Sequence, residues 1–147
     1  MSQPSVLITL IEIATKELEL QTEQLGRATK VLDDAYAQAK MLRQYRQDYV
    51  DKLQASMSTG LSKEGYQNYQ NFLQKLDQAI NGQDELVAHA ERSLKVQREN
   101  WQEAQRKKLS YEVLVSRSEA KAHKLELKRD QKMMDEYAMR SKSKQTK

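Results

Sequence analysis

The stretch SMSTGLSKEGY, from Ser56 to Tyr66, holds two of the chain's four glycines, Gly60 and Gly65, and separates two long segments of helical periodicity. Before it, Leu7, Ile11, Ala14, Leu18, Gln21, Leu25, Ala28, Leu32, Ala35, Ala39, Leu42, Arg46, Tyr49 and Leu53 step by four and three without a slip. This is a heptad seam, with Leu7 at a d position and Ile11 at an a. After it, Tyr69, Leu73, Leu76, Ile80, Gln83, Val87, Ala90, Leu94, Gln97, Trp101, Ala104, Lys108, Tyr111 and Val115 repeat the alternation.

A chain that doubles back must set each a residue of one helix against a d residue of the other, so facing residue numbers add to a constant. Leu53 with Tyr69, Leu42 with Ile80, Leu32 with Ala90 and Leu7 with Val115 all give 122. The bend therefore falls at position 61. Small residues meet larger ones (Ala35 with Val87, Ala28 with Leu94), as interdigitating layers require. The expectation is all-α: one long two-helix antiparallel coiled-coil hairpin, its arms roughly 70 to 80 Å long at about 1.5 Å per residue.

Working outward, helix 1 is predicted over about 3–56, the turn over about 57–62 and helix 2 over about 63–140, with 141–147 a flexible basic tail. Pro4 suits a first helical turn, where its missing N–H is no loss, which puts the helix start near Ser2 or Gln3. Ser62 is positioned to cap helix 2, with Leu61 and Tyr66 spaced as a hydrophobic staple. Helix 2 outruns helix 1, because Leu7 is already matched by Val115 and nothing remains to cover residues beyond about Ser118. The continuation, with Arg129, Lys132 and Glu136 at seam positions, is too polar for a core and reads as a single exposed helix.

Length and composition agree. The chain has 147 residues, 31% charged and 38% hydrophobic, with one proline, which suits a long-helix protein with little core in which to bury a pocket. Without cysteine there is no disulfide framework or thiolate metal site, in keeping with the cytosol. Val6 to Ala14 is the most apolar run, but Glu12 interrupts it and it is too short to span a bilayer. Net charge is +4, yet residues 117–147 carry ten Lys or Arg against five Asp or Glu, so the basicity belongs to the end of the chain.

Catalytic chemistry has little to work with. There is no Gly-rich phosphate loop, His89 and His123 are isolated on outer or overhanging positions, and most carboxylates sit on solvated faces where i,i+4 ion pairs explain them. No enzyme activity, cofactor or metal is expected. Binding is the better reading. The e positions of helix 2 (Gln70, Asp77, Asp84, Glu91, Arg98, Gln105, Glu112) are ordinary polar flanking, whereas its g positions include Phe72, Ala79, Leu86 and Leu114. In an antiparallel pair g faces g, so Tyr45, Phe72 and Ala79 gather on one edge near the turn. The plain explanation is a widened seam. However, Tyr36, Tyr45, Tyr49, Tyr66, Tyr69 and Phe72 amount to more aromatic area than two helices shelter, which favours a protein partner.

Lys121, Lys124, Lys128 and Lys132 recur at three or four positions, with Glu119, Glu126, Asp130, Asp135 and Glu136 between them. Three readings stay open, in this order: contact with an acidic or mixed protein surface, a solvated helix, and contact with nucleic acid.

Lys40-Met41-Leu42 with Tyr45 and Tyr49, Asn68-Tyr69-Gln70-Asn71-Phe72 continuing to Leu76, Ala79 and Ile80, Trp101, and Asp130-Gln131-Lys132-Met133-Met134-Asp135-Glu136 with Ala138 and Arg140 resemble the FliJ family of flagellar export proteins. The resemblance covers nearly the whole chain. It implies a component of the flagellar type III export apparatus, similar to the central stalk of rotary ATPases. Such a component binds the hexameric export ATPase and the cytoplasmic domain of the export gate, and escorts export chaperones. It would be monomeric when isolated and cytoplasmic, reaching the inner membrane only through its partners. By matching positions, the gate patch would comprise Gln38, Leu42, Tyr45, Tyr49, Phe72, Leu76, Ala79 and Gln83. The candidate contacts with the ATPase are Lys121, Lys124, Lys128, Lys132, Asp135 and Glu136. Leu42, Tyr49, Leu76 and Gln83 also fall on the seam, so they cannot be both fully buried and fully available. The rival expectation is a dimeric coiled-coil scaffold whose basic tail binds nucleic acid or anionic membrane.

Overall fold

In this computed structural model the described residues are 5–145. Two helices account for all of them except Gly60, Leu61 and Ser62: α1 spans Ser5–Thr59 and α2 spans Lys63–Gln145. The expected helix start near Ser2 or Gln3, and residues 146 and 147 of the expected tail, lie outside the described residues. Both helices run past their expected ends, α1 by three residues and α2 by five. The reason is local: Met57-Ser58-Thr59 and Ser141-Lys142-Ser143-Lys144-Gln145 contain no Pro or Gly, and Lys142 and Lys144 in the last turn of α2 suit the negative end of the helix dipole.

The turn is built from its own residues. Gly60 has φ 101°, a left-handed conformation that costs glycine nothing, and it ends α1. The Thr59 hydroxyl donates to the Ser56 carbonyl at 3.2 Å, supplying a partner for an orphan acceptor of the last turn. On the other side Ser62 Oγ accepts the Gly65 N–H at 3.0 Å, the N-cap bond that its position predicts. Gly65 leaves room for the Leu61 side chain: a Cβ there would sit 2.8 Å from Leu61 Cδ1. Leu61 thereby folds back onto the Leu53, Leu73 and Leu76 cluster, while Tyr66 stays at the surface.

The chain forms two compact units, Gln21–Trp101 and Met1–Leu20 with Gln102–Lys147. In the first, α1 and α2 pack antiparallel through two clusters. Leu32, Ala90 and Leu94 are buried with Leu25, Ala28 and Val87 against them. Nearer the turn, Leu53, Leu73 and Leu76 are buried beneath Tyr49, Val50, Leu61, Tyr69 and Phe72. Cross-helix partners follow the expected register: Arg46 with Asp77 and Thr22 with Trp101 both total 123, and Tyr49 with Phe72 totals 121. Each buried leucine contributes about 1.5–3 kcal/mol, so a long file of shallow layers replaces a thick core.

In the second unit α1 and α2 pair through a seam of the same kind. Ala14 and Ala104 are buried, and Leu7, Ile11, Leu18, Tyr111 and Val115 are half-buried. Lys108 occupies an a position there by staying partly exposed, its ammonium 3.8 Å from the Glu112 carboxylate. Beyond Ser118 only Ala122 is even half-buried among the described side chains, so α2 continues as a single solvated helix.

Candidate functional site

Near the turn, the two edges of the hairpin differ in kind. On the e edge, Arg43 grips Asp84 with two bonds of 2.8 and 2.6 Å, Arg46 Nε donates to Asp77 at 2.6 Å, and the Tyr36 hydroxyl donates to Glu91. The Glu91 carboxylate, by accepting that bond, holds the Tyr36 phenol above its ordinary pKa. Asp77 likewise raises Arg46. Simple polar flanking understates this edge. The missing signal was the partner: e faces e, and α1 offers Tyr36 and Arg43 at e opposite Glu91 and Asp84.

The g edge is aromatic and open. Tyr45 meets Phe72 edge-on at a centroid distance of 6.2 Å, and Tyr49 lies between Phe72 at 4.4 Å and Tyr69 at 4.9 Å. Burial pushes the Tyr49 phenol up. Tyr45 nevertheless remains 52% exposed. Of the positions matched to a gate patch, Gln38, Tyr45 and Ala79 are exposed, and Leu42, Tyr49, Phe72 and Gln83 are half-buried. Leu76 is 7% exposed and inside the core. Leu76 therefore supports Phe72 from below and offers no surface of its own. Gln83 is also committed inward, its amide donating to the Ala35 carbonyl at 3.0 Å.

The open surface extends further than the matched positions. Ala37, Lys40, Met41, Gln44, Tyr45 and Asp48 line a shallow depression of about 420 Å³ on α1, with Met41 58% exposed. Met41 belongs to the stretch that carries the family resemblance but not to the patch expected from the sequence. Its spacing of four from both Ala37 and Tyr45 was the available signal.

The second site, on α2 beyond Ser118, is entirely solvent-facing: Lys121, Lys124, Lys128, Lys132, Asp135 and Glu136 are all exposed. At about 100° per residue, Arg117, Lys121, Lys124 and Lys128 fall within an arc of about 60°, with Lys132 at its margin. Glu119, Glu126 and Asp130 fall on the opposite side. The acidic residues that interleave the lysines in sequence are thus segregated from them on the helix. Asp135 closes the basic stripe at its far end.

Among the described residues, no three His, Asp or Glu converge to hold a metal, and no helix is long and apolar enough to cross a membrane. His89 and His123 are exposed. The two helices and their unequal edges define a coiled-coil hairpin protein with an exposed aromatic edge and an exposed basic stripe. The chain belongs to the FliJ family: the family model for "Flagellar FliJ protein" matches residues 3–147. It is 30% identical to the flagellar FliJ proteins of Escherichia coli K12 and of Salmonella typhi, over 141 residues and 96% of each chain.

Proposed function

We propose that this protein is a non-enzymatic coupling rod of the bacterial flagellar protein export apparatus. The edge near the turn engages the cytoplasmic domain of the export gate through Tyr45, Phe72, Gln38 and Ala79, with Met41 extending the surface and Leu76 bracing it. The end that carries both termini engages the export ATPase hexamer through Lys121, Lys124, Lys128, Lys132, Asp135 and Glu136, and export chaperones are further partners. The protein works in the cytoplasm, peripheral to the inner membrane, and is a monomer on its own. It biases the ring only by binding one arrangement of subunits better than another, since equal affinity shifts nothing.

The observation that carries this reading is the asymmetry of the hairpin: ion pairs close one edge, while on the other the Tyr45 ring is left exposed over half-buried Phe72 and Tyr49. Half-exposed aromatic side chains are the residues most used as anchors in protein interfaces. Replacing Tyr45 by Ala, alone and with Phe72→Ala, tests it. Gate binding weakens while ATPase capture and helix content by circular dichroism hold. Lost helix content with Tyr45→Ala alone would show that the ring is part of the core.

A further inference from the structure

In the unit that holds the chain's ends, α1 carries a second apolar stripe that its own partner helix does not cover. Val6, Ile13 and Leu20 lie at c positions and are 66%, 60% and 46% exposed, with half-buried Leu10 at the g position between the first two. The steps of four and three repeat the seam's own alternation, turned to the g edge, and only Glu17 interrupts it. Leu114, at g on α2, borders the same edge and is 45% exposed. Where this stripe ends at Val6, opposite residue 116 in the antiparallel register, the basic stripe of Arg117, Lys121, Lys124 and Lys128 begins, also at c and g positions. All four cations are exposed, and no ion pair engages them among the described residues.

We infer that this continuous edge is a docking track for one amphipathic α-helix of another protein, apolar along one half and acidic along the other. The spacing selects a helix, because only a helix presents side chains that stay in step with a three-and-four ridge. Val6 to Leu20 is about fourteen residue steps and Arg117 to Lys128 about eleven, together about 38 Å at about 1.5 Å per step, a track for roughly 25 helical residues.

A second copy of this chain fits less well. Five partly exposed aliphatic side chains cannot supply the roughly 800 Å² per partner of a stable dimer. Setting apolar stripe on apolar stripe would also leave the four cations uncovered or facing each other. Nucleic acid would answer the cations and leave Val6, Ile13 and Leu20 in water. The inference deepens the reading of this end as a docking end, and it adds α1 residues and a partner chemistry to it.

The test uses the full chain and two synthetic helical peptides of about 25 residues. Each has leucines at three-and-four spacing in one half and glutamates at that spacing in the other, and the acidic half is N-terminal in one and C-terminal in the other. A third peptide carries lysines in place of the glutamates. One acidic peptide binds by fluorescence anisotropy and the lysine peptide does not. Ile13→Ser with Leu20→Ser weakens binding by about tenfold or more at every salt concentration. Lys121→Glu with Lys124→Glu and Lys128→Glu weakens it comparably at low salt and much less at high salt. All five positions are exposed, so helix content by circular dichroism is retained.

Three results would overturn the track. One is binding by neither acidic peptide, or equal binding by the lysine peptide. Another is a dimer in sedimentation that Ile13→Ser with Leu20→Ser abolishes, and the third is duplex DNA binding that those two substitutions leave unchanged. Capture of the ATPase and the gate is measured alongside. Absent peptide binding with capture intact removes the track alone, and peptide binding without capture removes the proposed function alone.

Discussion

The side-chain amide of Gln83 on α2 donates to the backbone carbonyl of Ala35 on α1 at 3.0 Å, a cross-helix bond at a seam position where a coiled coil normally puts a leucine. A net contribution of about 1 kcal/mol is ordinary for such a bond, so Gln83→Ala should destabilise by that amount plus the small loss of packing. Gln83→Leu should recover most of it, because it needs no partner. Thermal melts of the three proteins check this. If Gln83 instead serves a partner directly, both substitutions weaken gate binding without changing the melts.

The turn depends on two small residues with different jobs. Ser62→Ala removes the cap of α2 and should cost about 1 kcal/mol. Gly65→Ala makes the end of the Leu61 side chain shift within its cluster, because a methyl group there meets Leu61 Cδ1 at 2.8 Å. Denaturant midpoints should fall for both, and an unchanged midpoint for Gly65→Ala would mean that Leu61 relaxes freely.

Gly26 behaves oppositely. It lies inside α1, exposed, with a normal helical conformation and nothing within 4 Å of where a Cβ would sit. Gly26→Ala should therefore stabilise by about 1 kcal/mol, raising the melting temperature with no change in partner binding. A lowered melting temperature would contradict the open geometry at that position.

Alkaline pH should loosen the hairpin near the turn. Tyr36 and Tyr49 both have raised pKa values in the folded chain, Tyr36 by its bond to Glu91 and Tyr49 by burial. A raised pKa means that folding favours the protonated phenol. That stability is complete below the ordinary tyrosine value and is lost as pH rises through the folded one. Melting temperature should fall as pH rises from about 10 upward. Tyr36→Phe with Tyr49→Phe should flatten that fall. An equal fall in the double variant would assign it to other groups.

The fold was legible because a two-helix hairpin writes its contacts into one arithmetic rule. Leu53 opposite Tyr69, Ala35 near Val87 and the bend at Leu61 all follow from heptad phase, and the phase has no ambiguity over forty-seven residues of seam. Edges were harder. Arg46 reads as a seam residue and Tyr36 as one of the aromatics, and their bonds to Asp77 and Glu91, like that of Arg43 to Asp84, become visible only when both partners are placed. Exposure within the seam was harder still: Leu76 and Leu42 share a d position and a place in the matched patch, yet Leu76 is buried and Leu42 is not. What distinguishes them is the ring of Phe72 and the returning Leu61 over the Leu53 cluster, a matter of local packing. The basic stripe was obscured for a geometric reason, since residues that alternate in sequence separate onto opposite faces at about 100° per residue.

The most direct measurement of the account is parallel capture of the export gate domain and the export ATPase by four forms of the chain: unsubstituted, Tyr45→Ala, the triple Lys121→Glu, Lys124→Glu, Lys128→Glu, and both changes together. Tyr45→Ala should lose the gate and keep the ATPase, the triple substitution should lose the ATPase and keep the gate, and the combination should lose both. Loss of the same partner from both single-site forms, with helix content preserved, would contradict two separate docking surfaces on one hairpin.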